Sequence, residues 1–238
     1  ERNVGRQLAT ILDGQVFRAA HRAGAERVIF ASSGCVYPNS LQNDPDEILY
    51  LEEELVRPPY DADNLYGWAK LMGELSLRAY CEETALKGAC MRYFTAYGPR
   101  CLENHAVIAM IARAHAEQDP FEIWGTGEQI RNWTYVSDVV EATILAAERI
   151  DDGRGLNVGT TERIKVIECA RAAMAHLGKE LPLAFDESKP TGPYNRVCDN
   201  SATFEALGWR PQVSFAEGLV RTADWYVANH SAEEARER

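Results

Sequence analysis

The sequence has no apolar run approaching the roughly 18 residues that a membrane span needs. Its first stretch, ERNVGRQLATILDG, spaces polar residues at helical intervals where a secretory signal would carry an apolar centre. Neither a membrane protein nor a secreted one is expected, which leaves a cytoplasmic location. Positive charge is also scarce, with 25 Lys and Arg against 36 Asp and Glu for a formal net charge of -11. A nucleic-acid surface needs clustered cations, so no nucleic-acid partner is expected. The six cysteines (Cys35, Cys81, Cys90, Cys101, Cys169, Cys198) form no CxxC pair and have no His at zinc spacing. Neither a metal site nor a disulfide framework is expected of them, and most should be buried free thiols. What the chain does have is apolar content, 46% of 238 residues, enough for one large core or two fused smaller ones.

Apolar spacing divides the chain into alternating elements. Leu8, Leu12, Val16 and Ala20 recur every four residues between Arg6 and Ala23, which predicts an amphipathic helix that Gly24 can end. RVIFASS (27–33) has the length and β-branched content of a buried strand, and the order repeats with a helix over 65–84 and a strand over 89–94. Helix alternating with buried strand predicts parallel α/β winding. Beyond Tyr97-Gly98-Pro99 we expect a helix over 106–117, a strand over 121–124 and a helix after Ser137-Asp138. A strand over 156–158, a helix over 166–177 and a strand over 183–185 should follow. Ser214-Phe215-Ala216-Glu217 has the form of a capping box opening a last helix toward Asn229, and the tail after His230 is expected to fray. Trp124, Trp209 and Trp225 are expected in the core.

Tyr66-Gly67-Trp68-Ala69-Lys70 places a phenol and an ammonium four residues apart on one helical face. There the cation can favour the phenolate and draw the Tyr pKa down from about 10. Upstream, Ser32-Ser33-Gly34-Cys35-Val36-Tyr37-Pro38 puts a Ser at the carboxyl end of a parallel strand, where α/β folds bind ligands. SSGCVYP, YGWAK, RYFTAYGP (92–99), IWGTGEQIRNWTYVSDVV (123–140), GLNVG (155–159) and LGWRP (207–211) resemble, in order, the successive motifs of extended short-chain dehydrogenases/reductases that act on nucleotide sugars. The strings are most similar to those of GDP-mannose 3,5-epimerases and GDP-fucose synthases, which have a Cys two residues after the catalytic Ser.

The resemblance implies a Rossmann-like doubly wound parallel sheet with a smaller α/β substrate subdomain. Residues 1–100 plus about 136–160 would form a partial NAD-binding part, and about 101–135 plus 161–238 the nucleotide-sugar part. It implies Ser33, Tyr66 and Lys70 as catalytic residues. Ser32, Tyr66, Lys70, Phe94 and Ala96 would contact NAD, with NADP not excluded. Ser33, Cys35, Thr95, Arg131 and Arg196 would contact a UDP- or GDP-sugar, the two arginines at its diphosphate. The implied chemistry is oxidation of a sugar hydroxyl, usually on C4, to a transient ketone. Such a ketone acidifies C3 and C5, and Cys35 with His105 is a candidate acid/base pair for inverting them. The other reading makes Cys35 a small buried thiol and His105 a helix-start residue. Simple 4-epimerisation, epimerisation with reduction, and a non-catalytic nucleotide-sugar-binding fragment stay open beside 3,5-epimerisation. Gly34-Cys35 stand where dehydratases of the family have Asp-Glu, which argues against dehydration.

Two departures and one absence qualify the pattern. Thr95 stands where many members have Asn, and Asn132 where they have Asp. The GxxGxxG turn of the family, which holds the NAD pyrophosphate on a helix N-terminus, does not occur in the sequence. A homodimer is expected through the helices 6–23 and 65–84, Asp138 is expected to orient its surroundings, and the segment 185–192 to shape the nucleotide pocket.

Overall fold

The computed structural model describes residues 2–44 and 46–237, with side chains from residue 9 to 236. Helix α1 (Arg2–Arg22) ends as expected at Gly24, whose φ of 70° lets Ala25 N–H turn back onto Ala20 O at 3.0 Å. Strand β1 (Arg27–Ser33), helix α2 (Asn64–Glu83) and strand β2 (Lys87–Tyr93) follow. Then come β3 (Ala96–Tyr97), α3 (Ala106–His115), β4 (Phe121–Trp124), β5 (Ile130–Arg131), β6 (Thr134–Tyr135), α4 (Val136–Arg149) and β7 (Gly155–Val158). The chain continues through β8 (Ile164–Lys165), α5 (Val166–His176), β9 (Leu183–Asp186), β10 (Asn195–Arg196), α6 (Ser201–Leu207), α7 (Phe215–Asn229) and α8 (Ala232–Glu237).

The central sheet is parallel in the order β1-β2-β7, in register so that Ser33 faces Tyr93 and Tyr93 faces Val158. All three strands therefore end at one level. Strand alternation sends Phe30 and Cys90 to one face, where they pack with Phe17 of α1 and Leu77 of α2. Ile29, Ala89 and Met91 go to the other, against Val139, Ala142 and Ala146 of α4. Helices on both faces of a parallel sheet are the doubly wound α/β arrangement. A separate core joins α3, α5 and α7 around Ile108, Ile111, Phe121, Trp133, Phe215 and Tyr226. A third cluster of Val36, Tyr37, Leu51, Leu71, Phe94 and Cys198 packs at the carboxyl ends of β1 and β2.

The Ser214 hydroxyl caps α7 by accepting from Glu217 N–H at 3.2 Å. The chain after His230 is not frayed as expected. Ser231 and Glu234 form a capping box, with Ser231 N–H donating to Glu234 at 2.8 Å and Glu234 N–H to the Ser231 hydroxyl at 3.2 Å. Arg236 Nε then donates to Ala116 O at 2.9 Å, which ties α8 to the end of α3. Trp124 also departs from expectation: it is 42% exposed, its indole N–H donating to Glu122. Trp209 is buried and Trp225 half-buried. No helix among the described residues is long and apolar enough to cross a membrane.

Candidate functional site

Strand β1 ends by folding its last side chain back over the chain: the Ser33 hydroxyl accepts from Cys35 N–H at 3.1 Å and so caps the 3-10 turn Gly34–Val36. Helix α2 is docked against that turn. Asp63 N–H donates to Cys35 O at 2.9 Å, and Gly67, one turn into the helix, leaves no room for a side chain. A Cβ there would lie 2.1 Å from the Cys35 carbonyl oxygen. This contact brings Tyr66 beside Ser33 and Cys35, and explains the Gly inside YGWAK.

The surroundings of Tyr66 reverse one expectation. Burial, chiefly, and then negative charge at Cys35 and Asp13 hold its pKa above the ordinary phenol value, while the Ser33 hydroxyl acts in the opposite direction. Lys70 does share the face of α2, but its ammonium lies 4.8 Å from the centroid of the Phe30 ring and 5.7 Å from that of Tyr66. A cation over the flank of the ring does not offset desolvation of the oxygen. Among the described residues the Lys70 ammonium has no hydrogen-bond or ion-pair partner.

Ser32 and Phe94 are turned inward. The Ser32 hydroxyl donates to Glu74, which is paired with Arg92 at 2.8 Å in the interior, and the Phe94 ring is fully buried 5.7 Å from that of Tyr37. Neither side chain faces a ligand space, so what these positions offer there is backbone. Ala96 is half-buried in β3. Thr95, between them, has a φ of 29°, a conformation that Asn adopts far more readily than a β-branched residue. Asn132 is wholly buried and its amide donates to Thr160 O at 2.7 Å and Cys198 Sγ at 3.3 Å. An ionised Asp could make neither bond, which gives this departure a physical reason.

The two arginines differ in what occupies them. Arg196 is almost fully buried and each of its three nitrogens has a side-chain partner: Nε donates to Gln42 at 2.8 Å, Nη2 to Asp63 at 2.7 Å and Nη1 to Cys35 Sγ at 3.1 Å. Among the described residues Arg131 donates only to main-chain oxygens, of Ile130 and Thr191, both at 2.8 Å. Burial and the neighbouring charge of Arg196 push its pKa down to about 10, so it stays a cation at neutral pH. Arg131 also lines a cavity of about 350 Å³ with Thr95, Asn104, Trp124, Gln129 and Trp133. Gln129 Oε1 and Trp133 Nε1, of two residues that line this cavity, are buried without a hydrogen-bond partner among the described residues.

His105 precedes α3 as its N-cap, exposed and without a side-chain cap bond, between the cavity residues Asn104 and Ala106. No described contact joins it to Cys35. Asp138 is buried and accepts from Val213 N–H at 3.0 Å. No group of three or more His, Cys, Asp or Glu among the described residues is placed to hold a metal. Sequence reasoning missed Gln42, Asp63, Gln129 and Trp133. Of these only Asp63, just before α2, carried a signal, as an acid at a helix start.

A model of the family described as "NAD dependent epimerase/dehydratase family" matches residues 9–159. The chain belongs to that family. It is 28% identical over 231 residues to GDP-mannose 3,5-epimerase of Arabidopsis thaliana, a match that covers 95% of this chain and 60% of that protein. To GDP-L-fucose synthase of Sinorhizobium fredii it is 27% identical, covering 92% of this chain and 71% of the relative. Among solved structures, UDP-glucuronic acid 4-epimerase from Bacillus cereus, in complex with UDP-glucuronic acid and NAD, superposes with a TM-score of 0.80 at 25% identity. That match covers 93% of this chain and 68% of that one. The chain thus spans about three-fifths of the GDP-mannose 3,5-epimerase that it matches.

Proposed function

We propose that this chain carries the catalytic strand end and the substrate-binding part of an NAD-dependent nucleotide-sugar epimerase that works through a transient 4-keto sugar. The observation that carries the reading is the meeting of Ser33, Tyr66 and Cys35 at the end of β1, with Arg131 extending from the same cluster into a cavity with unsatisfied polar groups. Tyr66 takes the proton from a sugar hydroxyl, and Ser33 donates a hydrogen bond to that oxygen as it becomes a carbonyl. Lys70, whose ammonium has no hydrogen-bond or ion-pair partner among the described residues, holds the ribose next to the nicotinamide. Ser32, Phe94 and Ala96 contribute main chain to the same wall. NAD+, when bound, supplies the hydride acceptor and a positive ring charge that favours the Tyr66 phenolate. The residues present fit the nicotinamide end of such a cofactor, and the sequence has no glycine-rich turn for its pyrophosphate.

On the substrate side, Arg131 and Thr95 face the sugar diphosphate, while Gln129 and Trp133 offer hydrogen bonds to the base. Cys35 exchanges a proton with the carbon next to the ketone, and His105, at the cavity rim, is the second group of the pair. The first part of the chain with α4 and β7 serves the cofactor, and the core around α3, α5 and α7 the nucleotide. The exposed Ile11, Leu12 and Val16 of α1 and Leu65, Trp68 and Met72 of α2 support a homodimer through these helices, for which sedimentation at micromolar concentration should give twice the chain mass.

The deciding experiment is turnover of a GDP- or UDP-hexose with NAD+ in deuterium oxide. Label at C3 or C5 is expected for Cys35-dependent inversion. Inversion at C4 with those carbons unlabelled would favour simple 4-epimerisation instead.

A further inference from the structure

Helices α1 and α2 meet over Phe30 of β1, and each brings a charged group to that ring. On α1, Phe17 packs edge-on against Phe30 with the centroids 5.5 Å apart, and Asp13, one turn earlier, lies on the same face as Phe17. On α2, the Lys70 ammonium lies 4.8 Å from the Phe30 centroid and 5.7 Å from that of Tyr66. Asp13 and Lys70 therefore face each other across one aromatic floor, near enough for charge to act between them. Burial, chiefly, raises the pKa of Asp13, the Lys70 charge draws it back, and the Asp13 charge in turn reaches Tyr66. Yet the two form no ion pair. Asp13 Oδ2 is buried without a hydrogen-bond partner among the described residues, and the Lys70 ammonium has none among them either. A carboxylate oxygen withdrawn from water costs stability unless something donates to it, and here the facing cation stays over the rings.

We propose that Asp13 is a cofactor-binding residue, which with Lys70 brackets the two neighbouring hydroxyls of the ribose that carries the nicotinamide. The ammonium donates to one hydroxyl and the carboxylate accepts from the other. The inference deepens the epimerase reading and rests on it for the identity of the cofactor. An ammonium has only donors and an ionised carboxylate only acceptors, whereas each hydroxyl of a vicinal diol both donates and accepts, so a diol satisfies the two groups together where neither satisfies the other. Lys70 alone would leave the ribose free to turn about one contact. A second contact from the opposite helix fixes its plane beside Tyr66. The stability lost to the unpartnered oxygen in the free chain is then recovered when the diol is bound.

The test is binding and not turnover, so its failure is distinct from failure of the epimerase reading. The probe is nicotinamide mononucleotide, which presents the ribose and the nicotinamide without needing a pyrophosphate site, titrated into the millimolar range and followed by NMR of the nicotinamide protons. Asp13→Ala should raise Kd about tenfold, and Asp13→Asn, which keeps an acceptor without the charge, should raise it less. The 2′,3′-dideoxy analogue of the probe should bind the parent more weakly than the probe does, and Asp13→Ala should not weaken it further. A simple attraction of the carboxylate for the pyridinium charge would instead weaken both ligands equally. Urea titration of the free proteins checks the fold: the Asp13→Ala midpoint should equal or exceed that of the parent, because a buried oxygen without a partner has been removed. Equal Kd values of parent and Asp13→Ala for the probe, equal weakening of probe and dideoxy analogue, or a lowered urea midpoint would each overturn the proposal while leaving epimerisation to its own assay. No binding of the probe by the parent would overturn the proposal together with the placing of nicotinamide at this wall.

Discussion

Replacing Gly67 by Ala sets helix propensity against a close contact, and the structure says which wins. Ala is better than Gly inside a helix by about 1 kcal/mol. Here, however, the new Cβ would lie 2.1 Å from the Cys35 carbonyl oxygen and 2.9 Å from its carbon, and contacts under 3.0 Å essentially never occur. The helix must therefore withdraw by about 1 Å. No rotamer can absorb this, because the obstructing atoms are backbone and are tied to α2 through the bond from Asp63 N–H. Overpacking costs about 1–3 kcal/mol, and a backbone obstruction this close puts the contact in the upper part of that range, about 2–3 kcal/mol, so a net loss of about 1–2 kcal/mol remains after the propensity gain. With a urea slope of about 2 kcal/mol/M the unfolding midpoint should fall by roughly 0.5–1 M. Gly14 of α1 is the control, since a Cβ there meets nothing within 4 Å. Gly14→Ala should raise the midpoint by about 0.3–0.5 M through propensity alone. Circular dichroism during urea titration of both variants reads this directly. A Gly67→Ala midpoint at or above that of the parent would refute the docking of α2 on the turn after Ser33. On the proposed chemistry the same displacement of about 1 Å separates Tyr66 from Ser33, at a cost of roughly 100-fold in rate.

Glu74→Ala strands the buried Arg92, whose charge depends on that carboxylate, and should cost about 3–5 kcal/mol in a urea titration. Pairing Glu74→Leu with Arg92→Met should recover much of the loss. Burial holds the Glu53 pKa above its ordinary value despite the bond from Asn157 N–H. The stability it contributes is thus full below the unfolded pKa and is lost as pH rises through the folded one. Urea midpoints of the parent and Glu53→Gln should therefore coincide near pH 4 and separate by pH 7 with the variant higher, and the opposite order would contradict the burial argument. Thr95→Asn should relieve strain at φ 29° and raise the midpoint by an amount equivalent to about 1 kcal/mol.

Periodicity makes most of the frame legible in the sequence, because long helices and buried strands declare themselves by which residues they must hide. Strand β1 matches its expected bounds, and α4, α5 and α7 lie where their apolar spacing puts them. Two-residue strands such as β5 and β10 leave no such mark, since pairing of Arg131 with Arg196 across them is set by tertiary contact and not by pattern. Helix α8 escapes notice for another reason: Ser231 to Glu234 is a capping box as clear as Ser214 to Glu217, but few apolar residues follow it.

The site shows where reading by position stops. Spacing of four residues puts Lys70 on the face of Tyr66, and that much is a property of the helix. The sign of the shift at Tyr66 is not, because it depends on how much water the phenol loses and on charges that arrive from α1 and from the turn after β1. Arg131 and Arg196 likewise look equivalent as arginines in a diphosphate motif. They part only when their donors are followed to their acceptors, main-chain oxygens for one and a carboxylate, an amide and a thiol for the other. A guanidinium has five N–H donors in a fixed plane, and Arg196 has one described side-chain partner on each of its three nitrogens.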